Sequence, residues 1–174
     1  MKNGKTESLG RFSRTIRRIL RKLKRGDLVH NIFGRPFAVA CMSGGRESDI
    51  SGTVRFYPHG GGTLVVADIC GLPESESNFF GFHIHEGIDC GGADFADSKG
   101  HYNPCNVDHP MHAGDLPPLL GCRGRAYLAV MTGRFCPAEV VGRTVVIHAH
   151  PDDFRTQPAG DSGMKIACGV IRRI

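Results

Sequence analysis

Three things are missing from this 174-residue sequence, and each closes off a class of protein. No apolar run approaches the roughly 18 residues of a transmembrane helix. The seven cysteines include no CxxC pair, which argues against a structural zinc knuckle. Beyond Gly26 no stretch carries apolar residues at helical spacing, so no helix is expected there and a helical bundle is excluded. The N-terminus is basic but lacks the apolar segment of roughly 7–15 residues that marks a secretory signal, so cytoplasmic residence is the default expectation. Several disulfides would be out of place in that reducing setting, and an odd cysteine count leaves at least one thiol unpaired within a monomer.

What is present divides in two. Residues 1–25 carry ten Lys/Arg and one Glu, whereas the remainder is mildly acidic, so the net charge of +5 hides a basic arm on an acidic body. Leu9, Phe12, Ile16, Leu20 and Leu23 recur at steps of three and four among the arginines and lysines. They form one apolar stripe on a helix over residues 8–25 that Gly26 ends. Such an arm docks on the domain, frays as a solvated tail, or meets an anionic partner, a membrane surface or nucleic acid. We place the domain boundary after residue 25, with one domain over 26–174.

From Pro36 the apolar period changes to two. Residues 37–42, 52–57, 63–69, 79–85, 124–131, 143–148 and 165–171 alternate or run apolar, and glycine-rich turns separate the early ones. On the strand over 124–131, Ala126, Leu128 and Val130 share one face. Seven or eight short strands with no helical pattern between them indicate an all-β sandwich or barrel.

Five of the nine histidines lie between Gly81 and Asp115. His83 and His85 sit two apart in a strand and project to the same side. His101, His109, His112 and Asp115 follow, and the strand over 143–148 delivers His148. Isolated histidines are ordinary; this clustering points to metal. Copper(II) favours imidazole nitrogens in a tetragonal arrangement, which His83, His85, His101 and His148 can supply. Zinc accepts mixed imidazole and carboxylate ligands, which His101, His109, His112 and Asp115 can supply. The count closes for two metals if His101 serves both, as an imidazole stripped of both protons can; two cations make that second deprotonation feasible.

The ordered motifs GFHIHE, GHYNP, H-x7-H, H-x2-D, GRTVVIHAHPDD and KIACGVI resemble copper/zinc superoxide dismutases over residues 36–174. The resemblance implies an eight-stranded Greek-key sandwich with both metals under two loops on its outside, and His101 as the bridge. It implies a disulfide between Cys90 and Cys168, and makes Asp152 the carboxylate that links His83 to His109. The implied chemistry is alternate reduction and oxidation of copper by superoxide, with a proton carried by His101, giving oxygen and hydrogen peroxide. The short step from His85 to Cys90 is similar to the bacterial branch, whose members are usually exported, so export is the alternative location.

Three departures from the family pattern stand out. Lys165 occupies the position of the channel arginine, keeping the charge but losing the planar fork, so a working but less efficient channel is expected. Only Pro110 and Met111 separate His109 from His112, an unusually short zinc loop. The basic arm has no counterpart. Residues 157–163 match nothing individually. No dimer-contact motif is recognisable, which leaves a homodimer open. A catalytically silent copper/zinc-binding module is the alternative function. Of the other candidates, His150 is expected to turn outward beside Pro151, and His30 and His59 to lie at the surface. Cys105 reads as an incidental thiol, and Cys41, Cys70, Cys122 and Cys136 as small core or loop residues.

Overall fold

Strand alternation decides what this chain buries. The structure, a computed structural model, describes residues 34–174. The basic helix expected over residues 8–25, the boundary after residue 25, and His30 lie outside the described residues. In β1 (Ala38–Gly44) Ala38, Ala40 and Met42 turn inward. In β2 (Ser51–His59) Val54 and Phe56 do so, and in β3 (Gly62–Cys70) Val65, Ala67 and Ile69. β4 (Phe79–Phe80), β5 (Phe82–His85), β6 (Leu119–Leu120), β7 (Arg125–Thr132), β8 (Thr144–His148) and β9 (Lys165–Arg173) complete the strands. On β7 the inward face is Ala126, Leu128 and Val130, as the alternation predicts.

Seven strands form one antiparallel sheet in the order β5-β8-β9-β1-β2-β3-β7. Ile84 at one end of that order and Ala126 at the other share a single core cluster with Ala40 and Phe56. A flat sheet would hold its two ends strands apart, so the sheet curls on itself around that core. The fold is all-β, as expected.

Two expectations change. The segment over 79–85 is not one strand: it breaks at Gly81, and Phe79–Phe80 pairs instead with Leu119–Leu120. Phe80 and Phe82 are both buried, and Gly81 between them passes so close to Ser162 and His148 that a side chain has no room. Two short helical segments also occur among the described residues, a 3-10 segment (Ala93–Ser98) and α1 (Pro137–Val140). Both are too short to show a helical period. The first turn of α1 is set by local capping instead: Pro137 stands at its start, and the Cys136 backbone N–H donates to the Glu139 carboxylate.

Cys90 and Cys168 are disulfide-bonded, and Cys168 is buried. None of the cysteines read as small core or loop residues enters the core. Cys41, Cys122 and Cys136 are exposed and Cys70 is half-buried; Cys105 is exposed too. Cys41 is exposed because it falls on the outward register of β1.

Candidate metal centre

β5 carries the first two histidines. Its Ile84 N–H donates to Gly114 O (2.9 Å), and Tyr102 N–H donates to Ile84 O (2.8 Å). The edge of β5 is thereby covered by two irregular segments, which set His83 opposite Asp115 and His85 opposite His101. Gly114 permits this approach, because a Cβ there would collide with Ile84 O. β8, hydrogen-bonded to the other side of β5, brings in His148. Strand register therefore gathers residues from three distant parts of the chain.

The seven side chains form two donor sets that meet at one ring. His83, His85, His101 and His148 each offer a nitrogen within 4.8 Å of the others, as do His101, His109 and His112 with an Asp115 oxygen. All are buried. His101 faces Asp115 with Nδ1 (2.7 Å to Oδ1), while its Nε2 is buried without a hydrogen-bond partner.

Outer contacts fix which nitrogen of each ring is free. His85 Nδ1 lies 2.8 Å from Lys99 O and His148 Nδ1 lies 3.1 Å from Gly163 O. A carbonyl only accepts, so both Nδ1 atoms carry protons and both Nε2 atoms carry lone pairs. Those two Nε2 atoms are 3.1 Å apart. Two lone pairs at that distance repel unless a cation lies between them. Asp152 works similarly at the other end: Oδ2 accepts from His83 Nε2 (2.8 Å) and Oδ1 from His109 Nε2 (2.9 Å). That leaves His83 Nδ1 and His109 Nδ1 as lone-pair atoms, both buried without hydrogen bonds. His109 Nδ1 is nevertheless 3.1 Å from Asp115 Oδ2, a lone pair facing an anion. A cation between these atoms relieves both contacts, so the donor sets fit a copper ion and a zinc ion.

The ionisation states agree. Burial lowers the pKa of His83 against the opposing bond to Asp152, and lowers that of His85 well below the usual range with help from His101 and His148. Burial and the neighbouring His83 take His148 down to about 3. These rings are neutral at physiological pH, as metal ligands must be. Burial raises the two carboxyls, but bonds outweigh it: those from His83, Phe154 N–H and His109 hold Asp152 at about 2, and His101 holds Asp115 below its ordinary value.

Lys165, at the start of β9, places its Nζ 2.8 Å from Ser98 Oγ, 2.8 Å from Lys99 O and 3.4 Å from Phe95 O. Its ammonium pins the disulfide loop and shares the Lys99 carbonyl with His85. Desolvation lowers its pKa. His150 and His59 are exposed, as expected.

Sequence reasoning missed three residues. Gly160, at φ +67°, runs beneath Asp152 and His109, where any side chain would strike the carboxylate. Gln157 and Arg134 bond to the backbone around His109, His112 and Asp115. A glycine within the unmatched loop 157–163 was the available signal for the first; nothing in the sequence marks the other two.

Residues 50–171 match the family model described as copper/zinc superoxide dismutase. The chain is 37% identical over 146 residues to the copper/zinc superoxide dismutase of Deinococcus radiodurans, covering 72% of this chain and 79% of that protein. It is 32% identical over 141 residues to copper/zinc superoxide dismutase 2 of Aquifex aeolicus, with 72% and 81% covered. Against the Legionella pneumophila enzyme it is 34% identical over 129 residues, with 70% and 77% covered. With its two donor sets sharing one histidine, this chain belongs to the copper/zinc superoxide dismutase family.

Proposed function

We propose that the protein dismutates superoxide to oxygen and hydrogen peroxide. Copper would be held by His83 Nδ1 and by the Nε2 atoms of His85, His101 and His148. Zinc would be held by the Nδ1 atoms of His101, His109 and His112 and by Asp115. One observation carries the reading: His101 belongs to both donor sets, with its Nδ1 beside Asp115 and its Nε2 buried without a partner. When bound, copper supplies the one-electron redox chemistry.

The chain's own residues do the rest. His101 Nε2, buried and free of hydrogen bonds, would hold the proton destined for peroxide whenever it is not engaged by copper. Asp152 keeps the His83 and His109 tautomers fixed from outside both donor sets. Lys165 contributes its charge, since it bears electrostatically on both His85 and His148. Its donors are engaged with Ser98, Lys99 and Phe95, so it attracts the anion through its field and not by gripping it.

The finer architecture in this reading is the eight-stranded Greek-key sandwich of the family, with the basic arm of residues 1–25 appended for an anionic surface. Homodimerisation belongs to the same reading and is tested by light scattering. The exposed thiols of Cys41, Cys105, Cys122 and Cys136 favour the reducing cytoplasm over export. Cell fractionation tests that.

The direct experiment loads the purified full-length protein with copper and zinc and measures dismutation per bound copper. Fast turnover that slows as salt rises supports the enzyme and its positive field. Stoichiometric metal with negligible turnover would leave a metal-binding module.

A further inference from the structure

We propose that Arg134 and Gln157 form an external brace that pre-shapes the zinc loop and sets how tightly zinc is retained. The inference rests on the assignment of zinc to His101, His109, His112 and Asp115. Three of those ligands fall within residues 109–115, a loop too short to satisfy its own backbone. Within it, Asp115 N–H reaches His112 O (3.2 Å), His112 N–H donates to Asp115 Oδ2 (3.0 Å), and Met111 N–H reaches back to Asp108 O (2.9 Å). The backbone groups of His109 and the carbonyls of Pro110 and Asp115 are met by side chains from outside.

Gln157 clamps His109 from both sides of its backbone. Its Oε1 accepts from His109 N–H at 3.0 Å, and its Nε2 donates to His109 O at 2.7 Å. Arg134 holds the rest of the loop. One guanidinium nitrogen, Nη1, donates to Pro110 O (2.9 Å), His112 O (3.0 Å) and Asp115 O (3.2 Å). Arg134 meets Asp115 at its carbonyl, which leaves the carboxylate facing His101, His109 and His112.

The brace is tied to the core. Arg134 N–H donates to Thr132 Oγ1 (3.1 Å), and the next residue, Phe135, is buried against Phe56 with ring centroids 6.5 Å apart. Thr63 Oγ1 donates to Phe135 O at 2.8 Å. The arginine thus reaches the loop from a fixed point. A loop held this way needs little further ordering when the ion arrives, which is the source of tight binding. No equivalent side chain bonds the backbone of His83, His85 or His148 among the hydrogen bonds of the described residues, so the brace acts on one site.

The test uses the full-length, copper-loaded protein and measures zinc affinity by competition with a chromophoric chelator, alongside copper affinity. Arg134→Gln and Gln157→Ala each weaken zinc by roughly 10- to 100-fold, the scale of lost outer contacts at metal sites, and leave copper affinity unchanged. Arg134→Lys recovers only part of the loss, because its ammonium has three donors but sits on a stem one atom shorter than the one that carries Nη1. Cobalt(II) placed in the zinc site reports the same change as altered ligand-field bands. Zinc affinity within twofold of wild type in both variants would overturn the brace. So would copper and zinc affinities falling by the same factor, which marks a general loss of fold. Asp115→Ala separates the underlying assignment: if it binds zinc as wild type does, the ligand set is wrong, whatever the brace variants do.

Discussion

His148 is neutral in the folded protein because it is buried beside other imidazoles, and this has a measurable cost in acid. Its pKa falls from 6.5 to about 3 on folding. Between those values the unfolded chain binds a proton that the folded chain refuses, so stability drops as pH falls through 6.5 toward 3. From about pH 7 to about pH 5 this one residue removes about 2 kcal/mol from the metal-free protein. With a urea slope of roughly 2 kcal/mol per molar, the midpoint moves by about 1 M. His83 and His85 shift in the same direction, so the whole protein loses more. His148→Gln replaces the ring by a neutral amide and removes its share. The assay is urea denaturation of metal-free wild type and variant at both pH values. The variant is expected to lose about 2 kcal/mol less than wild type over that interval. Parallel profiles would refute the claim that His148 is folded as a neutral ring.

Asp152→Asn weakens both metals by roughly 10- to 100-fold, because an amide has one acceptor oxygen for two imidazole N–H donors; metal content after dialysis against a chelator checks it. Gly160→Ala forces a side chain onto the Asp152 carboxylate and lowers zinc retention in the same assay. Cys168→Ser opens a loop closed across 78 residues and costs roughly 2–5 kcal/mol, a difference that reductant abolishes when it is added to wild type. Lys165→Ala lowers kcat/KM and flattens its fall with ionic strength, whereas Lys165→Arg raises kcat/KM; stopped-flow measurement at two salt concentrations distinguishes them.

The parts of this fold legible in the sequence are those with a repeating physical signature. Period two exposed β1, β2, β3, β7, β8 and β9, and the His83–His85 pair stood out because two polar residues repeat inside an apolar strand. The donor sets followed from ligand chemistry, and the Cys90–Cys168 bond from the family likeness. What escaped has no period. β6 is two residues long, and α1 is specified by one capping box. The break at Gly81 depends on how near the chain passes to His148, a tertiary fact. Arg134 and Gln157 recognise backbone carbonyl and amide groups, which every residue carries, so no sequence pattern announces their partners.

His101 belongs to both donor sets and Asp152 holds one ring of each, and that makes the loading of the two metals a linked equilibrium. Freezing that ring and that carboxylate costs conformational entropy, and the cost falls on the first ion to arrive. The second meets groups already in place. Reciprocity then fixes a symmetry: the factor by which copper tightens zinc equals the factor by which zinc tightens copper. A cell starved of one metal would find this protein holding the other less tightly.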